Sequence, residues 1–193
     1  MFFLSLPCSS KIKFMADISC PKPVKLFIGI LSSDKTLFGE IEVLLEKRFG
    51  QVDIKSEVIP FNFTDYYNKE MGANISRQFL SFKELINPEE LSAIKIWTNE
   101  LEAKIKHNNR FNVIRPINLD PGYLTYCNLI LASTKDYYHR IHLQNGIYAE
   151  VTLFYQHEVF KNLPWTYPDF QTEEYKNFFL KVRTLYAKDI SNN

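Results

Sequence analysis

Apolar residues recur along this chain in two periods, and the switches between them divide it into alternating strands and helices. Val24 to Leu31 is an unbroken apolar run of strand length, followed by Ser32, Ser33 and Asp34 as N-cap oxygens. Leu37, Phe38, Ile41, Leu44, Leu45 and Phe49 then repeat at helical spacing, and Gly50 closes that helix. Val52, Ile54, Ser56 and Val58 alternate as a second strand that Pro60 ends, and Ile75 to Leu85 reads as a third after an aromatic loop, FNFTDYYNKEMG. Asn87, Pro88 and Glu90 spell a capping box with proline at the first helical position, ahead of a stripe of Leu91, Ile94, Trp97, Leu101 and Ile105. Strands return over Asn112 to Leu119 and Leu124 to Ser133, and a last helix capped by Thr172 carries Tyr175, Phe178, Phe179, Val182 and Leu185 on one side.

The sharpest local signal is Asn145-Gly146 between two apolar and aromatic runs, which predicts a two-residue hairpin within Lys135 to Tyr155. With that turn, Gln144 pairs with Ile147, Leu143 with Tyr148, Ile141 with Glu150 and His139 with Thr152. His139 and Glu150 become diagonal neighbours on one face, roughly 7 Å apart at the backbone. Arg140 alternates to the other face and can join them only through a bulge. The order strand, helix, strand, strand, helix, strand is that of a ferredoxin-like βαββαβ core, extended here by a hairpin and a C-terminal helix. The expected class is α+β, mostly antiparallel sheet with helices packed on it. Residues 21–190 read as one such domain, and residues 1–20 as an N-terminal extension, disordered or lying before a true start at Met15.

Composition narrows the function classes. The 193 residues, 46% hydrophobic and 15% aromatic, suffice for a full core. Lys plus Arg number 23 against 22 Asp plus Glu, so no global field recruits nucleic acid or an anionic membrane, and any anion site must be local. Three widely spaced cysteines, Cys8, Cys20 and Cys127, fit neither a disulfide framework nor a CxxC zinc site. With no targeting signal and no run of ~20 apolar residues, the expectation is a soluble cytoplasmic protein.

Eight blocks in order, VKLFIGIL, FNFTDYYNKEMG, RQFLSFKELI, TNELE, NLDPGYL, LASTKDYYHRI, GIYAEVTL and LPWTYPDF, resemble a prokaryotic family catalogued as domain of unknown function 4416. The resemblance runs from about Lys22 to Leu185. It implies a small cytoplasmic protein without an established activity; some members carry a GTP-binding label. The six glycines of this chain form neither GxxxxGK[ST] nor GxGxxG, so a nucleotide would have to bind by another geometry.

The polar residues of these blocks are the site candidates. Asp65, Tyr66, Tyr67 and Glu70 lie in the aromatic loop, where rings stack and hydroxyls bond, or where Asp65 merely caps and the tyrosines cover a sheet edge. Asp120 and Tyr123 sit in NLDPGYL, whose DPG reads as a tight turn. His139 with Glu150 is a base beside a carboxylate, suited to acid/base work or to a satisfied structural pair. Lys25, Arg77, Lys135 and Arg140 would neutralise a phosphate or carboxylate if gathered. Trp165 and Asp169 fall in a proline-fixed lid, LPWTYPDF.

Zinc is disfavoured, because His139 and His142 fall on opposite faces and HExxH is absent, whereas Asp65, Asp120, Glu150 and Asp169 would suit Mg²⁺ if brought together. A nucleophile elbow and paired HxT motifs are missing, and Cys127 is expected inside an apolar strand. What remains is a binder of a small anionic ligand such as a nucleotide, with room for acid/base chemistry. Its rival is a non-enzymatic RNA- or protein-interaction module, which lacks the RNP aromatic pattern.

Overall fold

The computed structural model describes residues 18–64, 66–107 and 110–191. Strand β1 (Val24–Ser32) is buried along its whole length, which explains why its sequence does not alternate. Its even-numbered side chains, Leu26, Ile28 and Ile30, face helices α1 (Thr36–Phe49) and α3 (Leu91–His107). Phe27 faces the opposite way, toward α4 (Glu173–Ser191). Both faces of one strand are therefore roofed, and a strand so placed must be apolar at every position.

Around β1 the sheet is antiparallel. β2 (Val52–Lys55) pairs with β4 (Ser76–Ile86), β4 with β1, and β1 with β5 (Ile117–Leu124). Beyond β5 follow β6 (Asn128–Ser133), β8 (Ile147–Gln156) and the edge strand β7 (Ile141–Gln144). Two short strands, β3 (Ile59–Pro60) on β4 and β9 (Val159–Asn162) on β8, lie off this path, and α2 (Asn68–Met71) is a single turn. Among the described residues no helix is long and apolar enough to cross a membrane. The class is thus α+β with a mostly antiparallel sheet.

The expected helices form where their stripes and caps put them. Glu90 Oε1 accepts from the Asn87 N–H at 2.8 Å, completing the capping box before α3. The Thr172 hydroxyl accepts from the Tyr175 N–H at 3.4 Å at the start of α4. That helix closes an aromatic cluster in which Phe79 meets Tyr175 at 4.7 Å and Phe179 at 5.1 Å between ring centroids.

Several expected boundaries fail: the strand read from Asn112 to Leu119 is Ile117–Leu124, and the one read from Val52 to Val58 stops at Lys55. Asp120-Pro121-Gly122 is not a turn but the middle of β5, opposite Gly29, Ile28 and Phe27 of β1. The β5–β6 ladder comprises Gly122↔Leu131, Tyr123↔Ile130 and Leu124↔Leu129, and stops where Pro121 would be the next partner. Proline has no N–H to continue it, so the two strands part at that point. The single expected strand Leu124 to Ser133 is also split: residues 125–127 turn the chain between β5 and β6, leaving Cys127 exposed there.

The hairpin turns at Asn145 and Gly146, both at positive φ (54° and 73°), as a type I′ turn requires. Its register slips by a bulge between His142 and Gln144, pairing His142 with Tyr148 and Ile141 with Ala149. His139 and Arg140 consequently precede the strand, and the alternation that was to separate them does not apply.

Candidate functional site

Where β5 and β6 part, a cavity of about 590 Å³ opens. Asn118 and Asp120 of β5 line one side and Leu131, Ala132 and Ser133 of β6 the other. Lys95 and Asn99 of α3 reach into the gap, while Arg77 of β4 enters from beyond β1. Gly29 makes that reach possible, since a Cβ there would sit 2.8 Å from Arg77 Nη1. Phe61, Phe63, Tyr66 and Tyr67 from the loop after β3, together with Tyr167 and Phe170 from the segment before α4, supply aromatic walls.

Arg77 is the centre of the floor. Its guanidinium donates to Asp120 Oδ2 at 2.9 Å and to Asp169 Oδ2 at 3.4 Å, and its side chain is 4% exposed. Burial alone would lower the Arg77 pKa, but the two aspartates outweigh it and raise it, so the group stays charged. The same cation acts unequally on its partners. Burial works against the charge on Asp120, yet Arg77, Lys95 and hydrogen bonds from Arg77 and Asn118 hold its carboxyl below the usual range. Asp169 moves the other way, because burial raises its pKa by more than Arg77 lowers it. Two carboxyls separated in this way are suited to different roles, one a fixed anion and the other a group that exchanges a proton.

Lys95 Nζ donates to the Leu119 carbonyl at 2.7 Å and stands 3.9 Å from Asp120 Oδ1. Arg115 pairs with Glu102 at 3.0 Å and donates to Asn118 Oδ1, and Asn118 Nδ2 donates to Asp120 Oδ2 at 2.7 Å. Burial pushes the hydroxyls of Tyr67 and Tyr167 up to about 12, so both remain neutral donors.

Behind this lining stands a brace. Glu150 Oε2 accepts from His139 Nε2 at 3.0 Å and from Arg140 Nε at 2.7 Å, and Thr152 donates to Oε1 at 3.3 Å. The His139 ring stacks on Trp165, with centroids 4.9 Å apart and planes 10° from parallel, and Trp165 Nε1 donates to the Val151 carbonyl at 2.8 Å. Arg140 donates onward to the Tyr167 hydroxyl at 2.5 Å and to the Lys135 carbonyl at 3.0 Å. One guanidinium thus fixes two walls of the cavity at once. At the rim, Lys135 Nζ donates to the Tyr66 hydroxyl at 3.3 Å and lies 4.8 Å from the centre of its ring.

The structure therefore gathers Tyr66, Tyr67, Arg77, Asp120, Lys135, Glu150 and Asp169 around one cavity, with His139, Arg140 and Trp165 supporting it. Other expected residues lie elsewhere. Lys25 is buried at the far end of β1, paired with Asp53 at 2.5 Å and Asp189 at 2.8 Å. Tyr123 packs beside Leu91 and Ile147 and does not line the cavity, nor does the Glu70 side chain, though the Glu70 carbonyl accepts from the Arg115 N–H. Asp65 lies outside the described residues.

The Mg²⁺ expectation gains no support. Among the described residues no group of three or more His, Cys, Asp or Glu side chains could hold a metal ion. Asp120 and Asp169 share Arg77, and Glu150 is taken by His139 and Arg140, so cations inside the protein neutralise these three of the carboxylates expected to suit the metal.

Lys95, Asn99, Arg115, Asn118 and Tyr167 were not among the expected site residues. A signal for Lys95 was present. Leu91, Lys95, Thr98 and Glu102 follow one another at helical spacing, placing two charges on a mostly buried face of α3.

The sequence profile of the family described as Domain of unknown function (DUF4416) matches residues 22–186. The chain belongs to this family. No curated protein and no solved structure matches the chain. The DUF4416 match spans β1 and most of α4, and so takes in every residue of the cavity described above.

Proposed function

We propose that this DUF4416 protein binds a small, ring-bearing anion of the nucleotide kind in the β5–β6 cavity, without a phosphate loop, and that Asp169 exchanges a proton with it. The observation that carries this reading is the Arg77–Asp120–Asp169 set: three ionised or ionisable groups sunk in the floor of an open, aromatic-walled space. Burying charges costs more than apolar packing would, and this set, unlike Lys25 with Asp53 and Asp189, opens onto a cavity. In a cleft the same set marks a site, because perturbed carboxyls concentrate where ligands are handled.

The framework is read as an extended ferredoxin-like sandwich. Supporting this are the strand order β5-β1-β4-β2 and the two crossovers through α1 and α3 on one face.

A second reading, a protein- or RNA-interaction module, draws on Tyr137, Tyr138, Ile141 and Leu143, which are exposed on and beside the edge strand β7. Thermal-shift titration separates the two. The small-ligand reading expects a melting temperature that climbs with the logarithm of ligand concentration for nucleosides, nucleotides or simple aromatic carboxylates, with and without Mg²⁺, the stabilisation reaching about 3 kcal/mol at a hundredfold excess over Kd. If none of these shifts the transition, the small-ligand reading is lost.

A further inference from the structure

The cavity is lined by Arg77, Lys95, Arg115 and Lys135 against Asp120, Glu150 and Asp169. Most of these cations are already committed. Arg77 is shared by two aspartates, Arg115 is paired with Glu102, and Lys95 lies between the Leu119 carbonyl and Asp120. Lys135 differs: among the described residues its ammonium meets the Tyr66 hydroxyl and ring, and no carboxylate pairs with it. It is also exposed, at the mouth.

A ligand entering phosphate first would set its charges against Asp120 and Asp169 with no uncommitted cation to receive them. A ring entering edge first meets the opposite situation. Ring N–H groups can donate to the aspartate oxygens, a ring carbonyl can accept the one Lys95 proton that neither the Leu119 carbonyl nor Asp120 takes, and Phe61, Phe63, Tyr67 and Phe170 offer faces for stacking.

Building on the binding reading above, we infer that the cavity recognises the edge of a nucleobase-type heterocycle, which enters ring first and leaves at most one phosphate at the rim beside Lys135. The phosphate then contributes little and the base a great deal. Specificity lies in the donor and acceptor pattern of the ring, as in sites built to hydrogen-bond a substrate edge. A polyphosphate chain extends past Lys135 into solvent and gains nothing further.

Isothermal titration of the full chain tests this with purine and pyrimidine nucleosides, their 5′-monophosphates and 5′-triphosphates, and indole-3-carboxylate as a ring anion without a base edge. The expected result is binding of a nucleoside and a monophosphate tighter by no more than about fivefold. The triphosphate should be no tighter than the monophosphate, and Lys135→Ala should bring the monophosphate down to the affinity of the nucleoside. Lys135 is exposed, so this variant should keep the wild-type melting temperature, which a thermal melt checks. A triphosphate about tenfold or more tighter than the monophosphate would overturn the inference in favour of phosphate recognition. Binding of indole-3-carboxylate without any nucleoside would overturn it while leaving the cavity a ring-anion site, and binding of no compound would remove both readings.

Discussion

Replacing Arg77 by methionine removes a charge while keeping most of the side-chain length, and the cost can be worked from its surroundings. Arg77 and Asp169 are 4% and 6% exposed at the side chain, so their pair has little water to fall back on. Breaking a buried pair from one side costs about 3–5 kcal/mol, because the remaining charge stays desolvated. Asp120 softens the loss, since its side chain is 27% exposed and Lys95 remains 3.9 Å from Oδ1. The lower end, about 3 kcal/mol at pH 7, is therefore expected, or about 10 °C in Tm for a chain of this size. The pH dependence has a definite sign. In the wild type the lowered pKa of Asp120 contributes stability above the unfolded value of about 4, and this is lost as pH falls through the folded value. Without Arg77, Asp169 loses the cation that opposed its burial, so its protonation favours the folded state and the variant recovers as pH falls from 7 toward 5. Urea denaturation of wild type, Arg77→Met and Arg77→Met/Asp169→Asn at both pH values measures this. The double variant should regain part of the loss at pH 7. A loss below about 1 kcal/mol, or one that is equal at the two pH values, would refute the ion-pair account.

The two aspartates should respond differently to neutralisation. Asp120→Asn should cost about 1–2 kcal/mol at pH 7 and progressively less below about pH 4, whereas Asp169→Asn, which removes a carboxyl already raised by burial, should cost less at pH 7; denaturation across pH reads both. Gly122→Ala places a Cβ 2.3 Å from the Ile130 carbonyl oxygen and 2.5 Å from the Phe27 ring, and should lower stability by more than about 2 kcal/mol in thermal melts. Gly146→Val meets no neighbour within 4 Å, so its expected cost of about 1–2 kcal/mol comes only from forcing a β-branched residue to a φ of 73°; an unchanged Tm would exclude the I′ turn.

The elements legible in the sequence were those whose signal is local. The capping box at Asn87, the stripe of α3 and the Asn145-Gly146 turn each act within a few residues, and each formed as read. Asp120-Pro121-Gly122 misled because proline and glycine have two uses. In isolation they favour a turn, but against β1 and β6 the same residues stop a ladder and admit Phe27. The site itself was half visible. Arg77, Asp120, Asp169 and Glu150 stood out as polar residues in apolar blocks, yet their convergence depends on β4 and β5 flanking β1, a long-range fact that no spacing encodes. The contact between His139 and Glu150 was expected, but from the wrong register; the bulge that shifts it also brings in Arg140.

Lys25 and Asp189 meet across 164 residues of sequence, and that separation sets the timing of assembly. On the ribosome β1 is made early, and α1 and α3 can roof one face of the sheet soon afterwards. The other face, with Phe27 and Phe79, waits for Phe178 and Phe179 of α4, and a charged lysine waits with it for one of its partners. At ordinary synthesis rates the interval between β4 and α4 is on the order of ten seconds, during which a nascent chain displays an aromatic surface of the kind that chaperones hold. Asp169 immediately precedes that helix. The floor of the cavity is thus completed in the same late step that buries the exposed face, so a truncated or stalled chain would lack both its covering helix and Asp169, with Arg77 left without one of its two carboxylates.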